Sequence, residues 1–125
     1  MRLSSSTKAI GNKGEKIAAR YLKKNGYKII AKNYFSAHGE IDIIATKNDV
    51  LVFVEVKARK DCQSHFDNYG LPSEAVTKSK QQHIIYTARK FLENNNFDLE
   101  IRFDVIEVYL SLKPRIHHIE DAFFA

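Results

Sequence analysis

Asp49-Val50-Leu51-Val52-Phe53-Val54-Glu55-Val56-Lys57-Ala58-Arg59 is the stretch on which the fold turns. Every position from Val50 to Val54 is apolar, so the segment is expected to be a strand covered on both faces. Side chains alternate faces along a strand, which puts Glu55 and Lys57 on the same side as Leu51 and Phe53. A carboxylate and an ammonium therefore stand together at the end of a very apolar strand.

Working outward, Glu40-Ile41-Asp42-Ile43-Ile44-Ala45-Thr46 reads as the strand before it. Alternation assigns Glu40, Asp42 and Ile44 to one face, and Ile41 and Ile43 to the other. Asn48 and Asp49 both tolerate positive φ and suit a two-residue hairpin turn. That turn pairs Lys47 with Val50. Counting back then sets Phe53 opposite Ile44, Glu55 opposite Asp42 and Lys57 opposite Glu40. A three-residue turn would send the two carboxylates to opposite faces, and the register that joins them is the expectation. Two carboxylates about 5 Å apart across a sheet repel, and one of them gains a raised pKa. A divalent cation removes the conflict, and an all-oxygen site suits Mg²⁺. Lys57 beside it would orient or deprotonate a water. The plainer alternative is an exposed cross-strand salt-bridge set worth about 0.5 kcal/mol per pair.

The rest of the chain frames this hairpin. Residues 7–25 read as an amphipathic helix with Ile10, Ile17, Ala18, Tyr21 and Leu22 on one face, and Gly26 as its stop. Glu15 lies one residue past that apolar stripe, where it would lean over the sheet as a further, water-mediated metal ligand. Tyr27 to Tyr34 is a strand, and Ser36-Ala37-His38-Gly39 a turn. Residues 60–72 carry turn formers without periodicity and read as a long loop. Ser73 or Thr77 caps a second helix to about Asn94, with Ala75, Ile84, Ala88, Phe91 and Leu92 toward the core. Glu100 to Leu112 is a fourth strand broken by Pro114. Ile116 to Ile119 is a short fifth strand, followed by a brief C-terminal turn or helix. The order is α-β-β-β-α-β-β, and a helical crossover should make the fourth strand parallel to the third. The fold class is therefore α/β, a mixed central sheet flanked by helices in a single domain over residues 1–125.

The totals agree with this and narrow the function. The chain has 125 residues, 44% of them apolar, and a net charge of +5. Basic excess favours polyanions such as nucleic acid. No apolar run approaches the ~20 residues that span a bilayer, so no membrane role is expected. Met1-Arg2-Leu3-Ser4-Ser5-Ser6 has no apolar signal segment, which leaves a cytoplasmic location as the default. Cys62 is the one cysteine; it makes no internal disulfide and no multi-cysteine zinc site.

Several of these segments together form a recognisable combination: Gly14-Glu15 with Ala18 and Tyr21-Leu22, Gly26-Tyr27, Gly39-Glu40-Ile41-Asp42-Ile43-Ile44-Ala45, Phe53-Val54-Glu55-Val56-Lys57-Ala58-Arg59, Arg102-Phe103-Asp104-Val105-Ile106 and His118-Ile119-Glu120-Asp121-Ala122-Phe123. They resemble the bacterial YraN family, which is placed in the restriction-endonuclease-like superfamily near the archaeal Holliday-junction resolvases. The resemblance runs from about Ile10 to Phe123 and implies that superfamily's αβββαβ core. By it, Asp42 matches the first acidic residue of the core motif, Glu55 the second and Lys57 its lysine, while Glu15 matches the helix glutamate of resolvase-like members. The superfamily pattern has proline before the first aspartate, where this chain has Ile41.

The expected activity is phosphodiester hydrolysis in DNA or structured nucleic acid. Asp42, Glu55 and the Val56 carbonyl would bind Mg²⁺ or Mn²⁺, Lys57 would activate the water, and Glu15 would support the metal shell. Arg59, Lys60 and the following loop would hold the phosphate backbone, with Phe66 or Tyr69 stacking on a base. Lys80 would face the site. Gln82 with Tyr86 has a spacing similar to a glutamine–tyrosine helix motif of related exonucleases. His117 and His118, as strand neighbours, should point to opposite faces, and Asp104 should pair with a helix lysine. A homodimer would let one cleft per subunit address two strands. Two rivals stay open: a non-catalytic nucleic-acid-binding protein of the same fold, and a protein-interaction factor whose acid–lysine cluster is only a polar anchor.

Overall fold

A computed structural model of the chain describes residues 2–60 and 76–125. The elements run α1 (Arg2–Lys24), β1 (Lys28–Ser36), β2 (Gly39–Lys47), β3 (Val50–Lys60), α2 (Lys78–Asn94), β4 (Glu100–Leu110) and β5 (Arg115–Phe123). The five strands lie in the order β1-β2-β3-β4-β5. Only β3 and β4 are parallel, and they are the pair separated by α2. The result, among the described residues, is an α/β fold with a mixed sheet and one helix on each face.

β3 is apolar on both sides because both sides are covered. Leu51 and Phe53 pack toward α2 with Ile44, Ile84, Ala88, Phe91, Phe103 and Val105. Val52 and Val54 pack toward α1 with Ala18, Leu22, Ile43, Ala45, Ile106 and Val108. On the α2 side Phe53 stacks on Phe103 at 5.6 Å, and Phe103 stacks on Phe123 at 5.1 Å. Phe123, the next-to-last aromatic of the chain, thus closes this layer.

The structure redraws several boundaries. α1 starts at Arg2 rather than residue 7, carrying Gly11 and Gly14 within it. Thr77 is the α2 cap, its hydroxyl accepting from the Lys80 amide at 3.1 Å. β4 stops at Leu110, two residues short of the expected end. No C-terminal turn or helix follows Ile119: β5 continues to Phe123, which pairs with Phe103. The sequence hides this because the ladder shifts between Phe103 and Val105. Asp121 takes up the extra length at φ 53, and its N–H reaches the Asp104 carboxylate at 3.2 Å.

One face assignment also changes. Ile41 joins Ile44 in the α2-side core, whereas Ile43 lies in the α1-side core. Ile41 and Ile43 therefore do not share a face, and the alternation slips at Asp42. Opposite, β1 carries an irregularity between Ile29 and Ala31, and Asn33 sits at φ 53.

The approach of α1 to the sheet depends on one glycine. A Cβ on Gly14 would lie 2.5 Å from the Ala58 Cβ. That neighbour is fixed to the backbone of β3 and has no rotamer to escape into. Glycine here costs up to ~1 kcal/mol of helix propensity, yet it lets the helix lie against β3 and brings Glu15, the next residue, to the sheet. Gly14→Ala is expected to lower stability by about 1–2 kcal/mol, overpacking of about 1–3 kcal/mol outweighing the propensity gain. Urea titration measures this, and a midpoint at or above that of the parent would refute the packing account.

Candidate active site

The β2–β3 ladder runs from Lys47↔Val50 to Ile43↔Val54 in the expected register. Asn48 (φ 50) and Asp49 (φ 65) form the two-residue turn that sets it. Beyond Ile43 the two strands part. β2 stays with β1 through Ile41↔Tyr34, Glu40↔Phe35 and Gly39↔Ser36. β3 stays with β4 as far as Lys60↔Leu110. The sheet forks, and Asp42 and Glu55 stand at the branch.

At that branch the Val56 N–H donates to Asp42 Oδ2 at 2.8 Å, where a backbone carbonyl would normally accept. A strand residue's N–H and C=O point to the same side, so the Val56 carbonyl faces the gap too. Asp42 and Glu55 lie close enough that each acts on the other's titration. Lys80 Nζ, from the first turn of α2, lies 3.6 Å from Glu55 Oε2. α2 is held in place to do this by close packing at the β1–β2 turn. A Cβ on Gly39 would come within 3.2 Å of the His83 Cβ, and Ser36 and Thr87 share a 2.7 Å hydroxyl hydrogen bond. The charge of Lys57 also reaches both carboxylates.

From the other side, α1 contributes Glu15. With its amide nitrogen turned toward them, Asn33 donates to Glu15 Oε1 at 3.0 Å and to Glu40 Oε2 at 2.8 Å. Four carboxylates thus line one wall of the fork, and their titration reflects it. Burial, then the charges of Asp42 and Glu40, push Glu15 up to about 6. Burial and the charge of Asp42 push Glu55 up to about 8. Asp42 is also raised, mainly by burial, while the Val56 N–H opposes the shift. In chemical terms the buried pair shares one proton well above the ordinary carboxylate range.

The expected residues are placed unequally. Asp42, Glu55, Lys57, Lys80 and Glu15 converge on the fork. Glu40 does not pair with Lys57: the ladder has ended, Glu40 turns to Asn33, and the ladder partner of Lys57 is Glu107 of β4. Arg59 forms an ion pair with the buried Glu107 at 3.3 Å. Gln82 is exposed and lies about 200° around the helix from Lys80. Tyr86 packs edge-on against His38 at 4.5 Å. Cys62, Phe66, Tyr69, Ser73, Ala75 and the Lys60 side chain lie outside the described residues.

Asp104 pairs with no helix lysine. It is fully buried, and Arg102 Nε and one terminal guanidinium nitrogen donate to its two oxygens at 2.9 Å each. His118 Nε2 bonds it at 2.7 Å, and His118 Nδ1 shares a 2.9 Å hydrogen bond with the Tyr21 hydroxyl. Burial pushes Asp104 up, but the His118 and Arg102 contacts outweigh it and leave the carboxyl below its ordinary range. His117 turns to the opposite face, 3.2 Å from Glu107. Asn33 and this buried network are what sequence reasoning missed. The signal for Asn33 was asparagine's tolerance of positive φ inside a strand.

Among the described residues, no three His, Cys, Asp or Glu side chains form a group that would hold a metal ion. A closed protein cage is not what the fork offers. Two neighbouring carboxylates with a backbone carbonyl beside them match the open, all-oxygen donor set of Mg²⁺, which takes one or two carboxylates and keeps its waters. No helix among the described residues is long and apolar enough to cross a membrane.

Fold and site together define an α/β protein with a paired-carboxylate fork at the centre of a mixed sheet. The chain belongs to the uncharacterised protein family UPF0102, whose model matches residues 14–108. It is 47% identical over 121 residues to the UPF0102 protein of Caldanaerobacter subterraneus subsp. tengcongensis, covering 93% of this chain and 95% of that one. It is 46% identical over 120 residues to a UPF0102 protein of Clostridium beijerinckii, covering 93% and 94%. This is the family the YraN resemblance anticipated.

A carboxyl held protonated in the fold releases its proton on unfolding, so rising pH favours the unfolded chain. Metal-free protein is expected to lose stability from the ordinary glutamate value of 4.5 up to about 8. Asp42→Asn, which removes the partner charge, should flatten that slope. Thermal melts in EDTA across this range measure it; equal slopes in both proteins would contradict a shared proton.

Proposed function

We propose that this protein is a metal-dependent nuclease of the restriction-endonuclease-like type, hydrolysing phosphodiester bonds in DNA or structured nucleic acid. The observation that carries the reading is the juxtaposition of Asp42, Glu55 and the Val56 backbone at the fork. Asp42, Glu55 and the Val56 carbonyl would hold Mg²⁺ or Mn²⁺. When bound, the cation would polarise a phosphoryl oxygen and lower the pKa of a water. Lys57 stands on the same face as Glu55 and would orient that water or, as the neutral amine, take its proton. Lys80 places an ammonium 3.6 Å from Glu55, where it can meet a phosphate oxygen once the carboxylate is engaged. Glu15, held by Asn33, would anchor a water of the outer shell.

The basic excess supports a polyanionic partner. Lys13, Lys16, Arg20, Lys23 and Lys24 are all exposed on α1. They form a row opposite the buried stripe of Ala18 and Leu22, with helical spacing that suits a phosphate backbone.

Asp42→Asn and Lys57→Ala are each expected to reduce Mn²⁺-dependent cleavage at least ~100-fold, while oligonucleotide affinity stays within about threefold. Mn²⁺ should raise the melting temperature of the parent and not of Asp42→Asn. A parent protein that cuts no duplex, flap, junction or single strand in Mg²⁺ or Mn²⁺ would overturn the hydrolytic reading. Binding that survives both EDTA and Asp42→Asn would then identify a non-catalytic nucleic-acid-binding protein.

A further inference from the structure

Beside the fork lies a groove between α1 and the end of the β1–β2 hairpin. The groove has a volume of about 530 Å³ and is lined by Lys8, Gly11, Asn12, Glu15, Asn33, Phe35 and Glu40. Glu15 and Glu40 belong to both the fork wall and the groove, so the two lie side by side. The volume lies within the roughly 300–1,000 Å³ typical of small-ligand sites, too small for a duplex and large enough for one nucleotide.

Phe35 is the unexplained residue here. Tyr34 beside it packs into the α2-side core against Phe91 at 5.2 Å. Alternation therefore turns Phe35 to the α1 side, where no core receives it and it is 69% exposed. A large aromatic face is left open beside a titratable cluster. Charge then decides what the groove accepts. Its inner wall carries Glu15 and Glu40, which repel a phosphate, so the neutral part of a nucleotide must face them. Its rim carries the exposed Lys8, which suits a phosphate. Asn12 adds an amide able to donate and accept at a base edge.

We propose that this groove takes an unpaired nucleotide flanking the phosphate held at the fork, its base stacked on Phe35 and its outer phosphate met by Lys8. The proposal rests on the nuclease reading and names its substrate class: nucleic acid single-stranded on at least one side of the cut. The ring face is the sequence-tolerant platform used to hold bases out of a duplex.

The test separates the groove from the chemistry. Affinity is measured in the Asp42→Asn background, where turnover is blocked, for a 2-aminopurine-labelled single strand and for the same sequence as a blunt duplex. Phe35→Ala should lower the preference for the single strand about tenfold and abolish the stacking quench of 2-aminopurine, with Phe35→Trp restoring both. Lys8→Gln should lower the salt dependence of single-strand binding by about one counterion. A preference unchanged by Phe35→Ala, an equal loss on both substrates, or no single-strand binding at all would overturn the groove assignment. Cleavage by the parent protein with Mn²⁺, scored separately, decides the hydrolytic reading. A parent that cuts while the preference ignores Phe35 refutes the groove alone. A parent that never cuts while the preference still follows Phe35 refutes the hydrolysis alone.

Discussion

The hydrogen bond from the Val56 amide to the Asp42 carboxylate joins the two parts of the molecule that matter most. Two strands that part in mid-sheet leave backbone groups without ladder partners, and buried backbone groups without partners are strongly disfavoured. Asp42 fills that role for β3, and in doing so is drawn into a region already occupied by the carboxyl of Glu55. Two such groups cannot both ionise in a shielded space without a counter-charge. Burial and the resulting conflict of charge, rather than any single residue, are what raise the carboxyls at the fork.

Everything else keeps the fork in this condition. Two apolar layers, one on each side of β3, fix the strand against rotation, so Glu55 and Lys57 cannot exchange faces with Val54 and Val56. Gly14 lets α1 lie close enough for Glu15 to enter from one side. Packing at Gly39 and the Ser36–Thr87 hydrogen bond hold α2 so that Lys80 enters from the other. Acidic groups from α1, β2 and β3 and an ammonium from α2 thus meet at a point no single element could define.

The Asp104 network is the instructive contrast. It too is a buried carboxylate among polar groups, yet Arg102, His118 and the Asp121 amide satisfy its oxygens, and its pKa falls rather than rises. A satisfied carboxylate of this kind holds elements together, here tying β5 and α1 to β4 through His118 and Tyr21. At the fork the nearest cation, Lys80, stands farther off at 3.6 Å, and both carboxyls are raised. The difference lies in which neighbours are cations, and it separates a fastening from a candidate reaction site.

The linear chain carried the hairpin from its turn as far as Ile43 and Val54. A five-residue apolar run, two turn formers tolerant of positive φ and a period of two were enough to pair Lys47 with Val50 and bring Asp42 and Glu55 together, because local chemistry sets a two-residue turn and the turn sets the register. The parallel pairing of β3 and β4 followed for a similar reason, since a helix between two strands leaves little choice. What folding alone decided lay where distant segments meet. The parting of β2 from β3 turned Glu40 away from Lys57 and toward Asn33. The slip at Asp42 moved Ile41 to the face of Ile44. Long-range packing of Phe123 on Phe103 drew β5 past its expected end, and Asp104 found Arg102 and His118 rather than a lysine. Periodicity records which face a residue prefers, but whether neighbouring strands stay together, and which charges come to face one another across them, is settled only by the competition of all contacts at once.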